Sequence, residues 1–194
     1  ETNVKKYLGK ELYIYDVANE TNEVGVVRGL AWTSVGGDTL QIEVNVMPGK
    51  GEYKLTGKLG DVMKESAQAG ISYIRSISDR YHLEENYFEK HDVHIHIPEG
   101  AVPKDGPSAG ITMATAMLSA ITNHPVYANI AMTGEITLRG RVLPIGGLKE
   151  KILAAKMANI KTVLVPEKNK RDVAEISSEI LKNIQIVYVD NMDE

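Results

Sequence analysis

The chain has 194 residues, enough for one sizeable hydrophobic core, and a formal net charge of −4 with a pI near 5.8. That balance leaves no basic footprint for nucleic acid, and no apolar run approaches the roughly 20 residues a membrane span needs. Without cysteine, a disulfide scaffold, a thiol nucleophile and thiolate metal sites are excluded, and a reducing, cytoplasmic setting fits. The chain opens on Glu1 rather than Met, the pattern of a piece from a longer protein, and no signal-peptide pattern follows.

Residues 1–21 are polar with scattered apolar positions and no sustained period, which reads as a linker or N-terminal extension. Two extended runs follow, Val24–Trp32 and Thr39–Val46, and Gly36-Gly37-Asp38 between β-branched stretches signals a hairpin. Strict alternation from Leu40 to Val46 puts Gln41, Glu43 and Asn45 on one face. Pro48 to Gly51 turns the chain into a short strand, Tyr53–Thr56. One long helix is expected from about Leu59 to Tyr81, with Val62, Met63, Ala67, Ile71, Ile74 and Ile77 inward. His91–Ile97 reads as a buried strand with His94 and His96 on one face.

A loop from Pro98 to Gly106 leads to Ser108 and an apolar helix, Ile111–Ile121, that ends near Asn123-His124-Pro125. Pro107 suits a first helical turn, because its φ is pre-set and the N–H it lacks has no partner there. Ser108 then meets free backbone N–H groups and the positive end of a helix dipole, where an oxyanion is stabilised. Extended runs at Ile130–Thr133 and Ile136–Leu138 are followed by glycine turns at Gly140 and Gly146-Gly147. A helix over Leu148–Asn159, a strand over Thr162–Val165, a helix near Arg171–Ser177 and a strand over Gln185–Val189 complete the chain. Early hairpins and a later alternation of strands and helices give a mixed α/β (α+β) class.

Gly106-Pro-Ser-Ala-Gly110 matches the G-x-S-x-G pattern, but the strand that should run into an elbow ends near Ile97. The order Ser…Asp…His also fails, since His124 is the only histidine after Ser108 and no acid lies between them. The candidate bases are His94 and His96 from the preceding strand, or a lysine. At about 100° per residue, Leu148, Ile152, Ala155 and Asn159 share one arc and Lys151 falls between Ala155 and Ala158 beside it, while Lys149 and Lys156 share another side. An ammonium among apolar neighbours loses protons more readily, and neutral lysine can take a serine proton. The same position also suits a lysine whose stem covers apolar surface. Gly51 to Gly57 is one residue too long for a phosphate loop, and Leu59 offers no hydroxyl for Mg²⁺. His94 and His96 have no evident third metal ligand.

Three stretches carry a resemblance: Pro103-Lys-Asp-Gly-Pro-Ser-Ala-Gly110, Thr133-Gly-Glu-Ile-Thr-Leu-Arg-Gly140 and Leu143-Pro-Ile-Gly-Gly-Leu-Lys-Glu-Lys151. Together they resemble the proteolytic domain of ATP-dependent Lon proteases, the bacterial type A branch in particular, from about Glu23 to Val189, which implies a proteolytic domain over residues 22–194. The resemblance implies a serine endopeptidase with Ser108 as nucleophile and Lys151 as base, acting on unfolded or damaged proteins. It implies that Thr133 orients the lysine, that Glu43 is an acid near the site, and that Asp105 can contact the lysine in inactive arrangements. Trp32, the only tryptophan, resembles a wall of the substrate cleft or else an ordinary core aromatic. The family acts as a hexameric ring in which ATP and Mg²⁺ belong to a separate ATPase module that matches nothing in this sequence. No cofactor or metal is therefore expected in this domain. A non-catalytic module kept for assembly is the competing reading, against which the intact Ser108–Lys151 pair argues.

Overall fold

Alternating β-branched residues near the start of the chain build a sheet, and apolar helices cover both of its faces. The computed structural model describes residues 21–33, 36–98 and 104–194. The stretch read as a linker therefore lies outside the described residues up to position 20. Strands β1 (Glu23–Val24) and β2 (Val26–Thr33) form one extended run broken at Gly25, whose φ of 74° suits a residue without Cβ. Next come β3 (Gly36–Pro48), β4 (Tyr53–Thr56), helix α1 (Asp61–Ser76), a short α2 (Tyr87–Lys90) and β5 (His91–His96). Helix α3 (Gly110–Thr122) is followed by β6 (Pro125–Val126), β7 (Ile130–Met132), β8 (Glu135–Ile136) and β9 (Val142–Leu143). The chain closes with α4 (Leu148–Met157), β10 (Thr162–Pro166), α5 (Lys170–Ala174), α6 (Ser178–Leu181) and β11 (Gln185–Val189).

Seven strands form the main sheet in the order β11-β10-β7-β2-β3-β5-β4. Strands β11, β10, β7 and β2 run parallel, β3 is antiparallel to both β2 and β5, and β4 is parallel to β5. The expected mixed α/β class is the class observed. Side chains alternate along β2: Val27 joins the core beneath α1 and α3, whereas Leu30 joins a second core with α4, α5, β10 and Ala131. Gly70 lets α1 approach α3 closely, since a Cβ there would meet Met117 Cε at 3.1 Å. Two cores, one on each face, are thus divided by the sheet.

Several expectations need correction. The expected hairpin joins β2 to β3, but Gly36 and Gly37 lie within β3, with Thr33 paired to Gly36; Gly37 is needed because a Cβ would fall 2.0 Å from Glu150 O on α4. The long helix stops at Ser76, a 3₁₀ turn follows at Ser78–Tyr81, and Val62 is 44% exposed. Strand β5 is buried on one face only, at Val93 and Ile95. As expected, the glycine-rich stretch from Gly49 to Leu59 holds a short strand, β4, with the bounds Tyr53–Thr56. Among the described residues, no helix is long and apolar enough to cross a membrane.

The two ends of the inward arc of α1 give a direct comparison. Ile74 is fully buried, so Ile74→Ala is expected to cost about 2–5 kcal/mol in urea unfolding, from lost burial and the cavity left behind. Val62→Ala on the exposed side is expected to stay within about 0.5 kcal/mol.

Candidate active site

Ser108 sits in a 3₁₀ turn, Pro107–Ala109, that tightens into α3; it precedes the α-helix rather than opening it. Gly106 before it has φ 112°, a conformation that few other residues adopt. The turn is fastened at both ends. Asp105 Oδ1 accepts from Gly106 N at 2.8 Å and from Met63 N at 3.0 Å, so the carboxylate caps the first turn of α1 from across the chain. Gly60 makes room for it, since a Cβ there would fall 2.2 Å from the Asp105 carboxyl carbon. On the other side, Gly134 N donates to Ser108 O at 2.8 Å and Ile111 N donates to Gly134 O at 3.1 Å.

Lys151 reaches the same place from the opposite face of the sheet. It is 3% exposed, and Leu148, Ile152 and Ala155 of α4 are buried with it. The passage exists because β7 ends at Met132, and Thr133 lies fully buried just beyond it. Lys151 Nζ donates to Thr133 Oγ1 at 3.3 Å, and Thr133 Oγ1 donates to Ser108 O at 3.3 Å. Burial disfavours the ammonium and pulls the Lys151 amine down from 10.5 to about 8. Among the described residues no acid pairs with it.

Ser108 and Lys151 line one cavity of about 580 Å³, together with Leu30 to Thr33 of β2, Lys104, Asp105, Pro144 to Gly147 and Glu150. Trp32 forms part of its wall, 62% exposed, with its indole against Gly147. The reading of Trp32 as a core aromatic therefore falls.

A model of the Lon protease (S16) C-terminal proteolytic domain matches residues 1–194. The chain belongs to this family. It is 66% identical over 194 residues to a Lon protease of Lachnoclostridium phytofermentans, covering all of this chain and 24% of the relative. A Lon protease of Clostridioides difficile is 58% identical over 194 residues, with 100% of this chain and 25% of the relative covered. One from Vibrio parahaemolyticus is 55% identical over 192 residues, covering 99% and 24%. The chain thus spans about a quarter of the length of the curated relatives it matches.

Within this Lon proteolytic domain, the remaining candidates lie apart from the serine or face other partners. Glu43 accepts from Gln41 Nε2 at 2.8 Å and lines a different pocket with Glu23, His94 and His96. Both imidazoles meet Thr56 Oγ1, at 2.9 Å and 2.7 Å, and neither lines the Ser108 cavity. Asp105 lines that cavity, but its bonds run to the Met63 and Gly106 amides. Sequence reasoning missed Asn169, 2% exposed, whose amide holds the backbone of Ile145 in the cavity wall. Its signal was weak, a single asparagine among charged residues at a helix start.

The Lys151 titration has a stability signature. The unfolded chain holds this proton up to about pH 10.5 and the folded one only to about 8, so stability rises with pH across that window. Below pH 8 the full cost of burying the ammonium remains, ~3 kcal/mol for a shift of this size. Lys151→Met is expected to be more stable than the unsubstituted protein at pH 7, with the gap narrowing between pH 8 and 10.5. Urea unfolding across this range measures it.

Proposed function

We propose that this domain hydrolyses peptide bonds with a Ser108–Lys151 dyad. The carrying observation is the buried, partner-poor Lys151 amine sharing a cavity with Ser108 while bonded to Thr133. A neutral amine has two N–H groups and one lone pair. One N–H goes to Thr133 Oγ1, and the Thr133 hydrogen is committed to Ser108 O. The lone pair is therefore left for the proton of the Ser108 hydroxyl.

In the first half-reaction Lys151 Nζ takes that proton as Ser108 Oγ attacks the scissile carbonyl carbon. The oxyanion is held by backbone N–H groups of the Ser108 turn, and the lysine ammonium returns the proton to the leaving amine. In the second half, water gives a proton to Lys151 as its oxygen attacks the acyl ester, and the ester bond breaks as the lysine ammonium returns that proton to Ser108 Oγ, releasing the acid and restoring both residues.

The sheet edge beside the dyad supports a preference for unfolded segments. Strand β7 pairs with β2 only at Arg28 and Gly29, so beyond Gly29 no described strand lies on that side. Leu30, Ala31 and Trp32 continue into the cavity wall, where an extended peptide can add as a strand. A folded protein presents few such segments. Carried by the family, the reading extends to the intact protein: unfolded or damaged proteins as substrates, a hexameric ring, a cytoplasmic setting, and ATP with Mg²⁺ used by a separate module.

Ser108→Ala is expected to abolish cleavage of an unstructured peptide while the circular dichroism spectrum stays native; cleavage at the original rate would remove Ser108 from the role. Lys151→Arg is expected to be equally inactive, because guanidinium stays protonated. Lys149→Ala, on the exposed side of α4, is expected to retain activity. The peptide cleavage rate should rise with pH along a limb centred near 8, as the Lys151 ammonium is lost. A limb absent from the pH–rate profile would place the base elsewhere. Purified in isolation, this chain should hydrolyse no ATP, as a coupled phosphate-release assay would check.

A further inference from the structure

The wall of the Ser108 cavity made by Pro144, Ile145, Gly146 and Gly147 links β9 to α4. It has little to hold it by itself. Pro144 has no N–H to bond, and two glycines in succession give the backbone wide freedom. A Cβ built on Gly146 meets nothing within 4 Å, so this residue borders open space. At one end the segment rests on Trp32, which packs against Gly147.

Its other hold comes from outside the motif. Ile145 N donates to Asn169 Oδ1 at 3.0 Å, and Asn169 Nδ2 donates to Ile145 O at 2.9 Å. The amide thereby takes both peptide groups of one residue, as a neighbouring strand would. Asn169 Nδ2 also donates to Asp172 Oδ2 at 2.6 Å, which fixes the amide from behind. These three partners agree on which end of the amide is oxygen. Asn169 is 2% exposed and does not line the cavity, so it can touch neither substrate nor Ser108.

We propose that Asn169 is a positioning residue for substrate binding: it holds Ile145 and with it the cavity wall that faces a bound peptide. This inference rests on the Ser108–Lys151 reading. Clamping Ile145 makes the wall ready before substrate arrives, so the ordering cost is met in folding rather than in binding. Losing the clamp should then weaken binding of a peptide chain. The dyad should be left alone, because Lys151 is placed by α4, whose first turn is held by Lys151 N donating to Gly147 O at 3.1 Å.

The test compares Asn169→Leu and Asn169→Asp with the unsubstituted form in the intact protein. Asn169→Leu removes both bonds to Ile145. Asn169→Asp has the same shape and keeps an acceptor for Ile145 N, but it lacks the donor and faces the Asp172 carboxylate, which guards against a Leu variant that does not fold. Two readouts are combined: steady-state cleavage of an unstructured fluorogenic peptide, and sulfonylation by phenylmethylsulfonyl fluoride located by mass spectrometry. In that reaction Oγ of the reactive serine bonds to sulfur, fluoride leaves, and the hydroxyl proton passes to the base. It needs the dyad but not the peptide-binding wall, and it counts active sites.

The expected result is a KM raised about tenfold, with kcat per sulfonylated site, sulfonylation rate and the pH–rate midpoint all held within about twofold. Unchanged KM in both variants, with Ser108 still the sulfonylated residue, overturns the role of Asn169 and leaves the dyad standing. A slower sulfonylation at unchanged KM overturns it as well, by placing the effect on the dyad. Sulfonylation of a residue other than Ser108 in the unsubstituted protein overturns the dyad and this inference together.

Discussion

The early end of β7 is the constraint on which the rest of this structure depends. A parallel sheet with helices on both faces normally keeps those faces apart, and here the two cores are separated along β2 and β10. Because β7 stops at Met132, the next residue, Thr133, sits at an opening between them. Its N–H still bonds Leu164 O on β10 at 3.1 Å, which holds it in line with the sheet. Its hydroxyl is then presented to Lys151 from one face and to the Ser108 carbonyl from the other. A single buried hydroxyl thus ties a helix on each side of the sheet to one spot. The candidate site thus lies beyond the carboxyl end of β7, the kind of position where open α/β sheets bind ligands.

What the Lys151 amine lacks is as informative as what it has. A carboxylate partner would favour the ammonium and raise its pKa, which would remove the lone pair a base requires. The acid within the serine motif, Asp105, is held by the amides of Met63 and Gly106. Among the described residues a hydroxyl, Thr133 Oγ1, and not an acid receives the Lys151 amine, and burial is what lowers its pKa. The two lysines of the same motif separate cleanly: two positions along α4, roughly 200° apart, divide the exposed Lys149 from the buried Lys151.

Glycines at this site make room for neighbouring backbone and side chains. Gly37 brings β3 against the Glu150 carbonyl, Gly60 admits the Asp105 carboxylate, and Gly147 lies beneath the Trp32 indole. At each of the three, a Cβ would collide with the neighbouring group. The Gly-Gly pair marks the hairpin that joins β2 and β3, while Gly37 also has a packing role that the hairpin signal does not reveal.

Much of the candidate site was legible in the sequence because its logic is local. The turn before an apolar helix marks Ser108, and the periodicity of α4 marks Lys151 as the inward lysine; both depend on neighbours within a few positions. The amphipathic faces of β3 and α1 were legible for the same reason, apart from Val62, where the apolar arc is wider than the surface α1 buries. Tertiary structure alone decided the partners. Alternation along β3 put Glu43 on the polar face but could not say which pocket that face borders. The sequence separation between Asp105 and Met63 hid a helix cap, and nothing near Asn169 announces that its amide holds Ile145. Period and turn chemistry act over one or two helical turns, whereas a hydrogen bond across the fold depends on where every intervening element has packed.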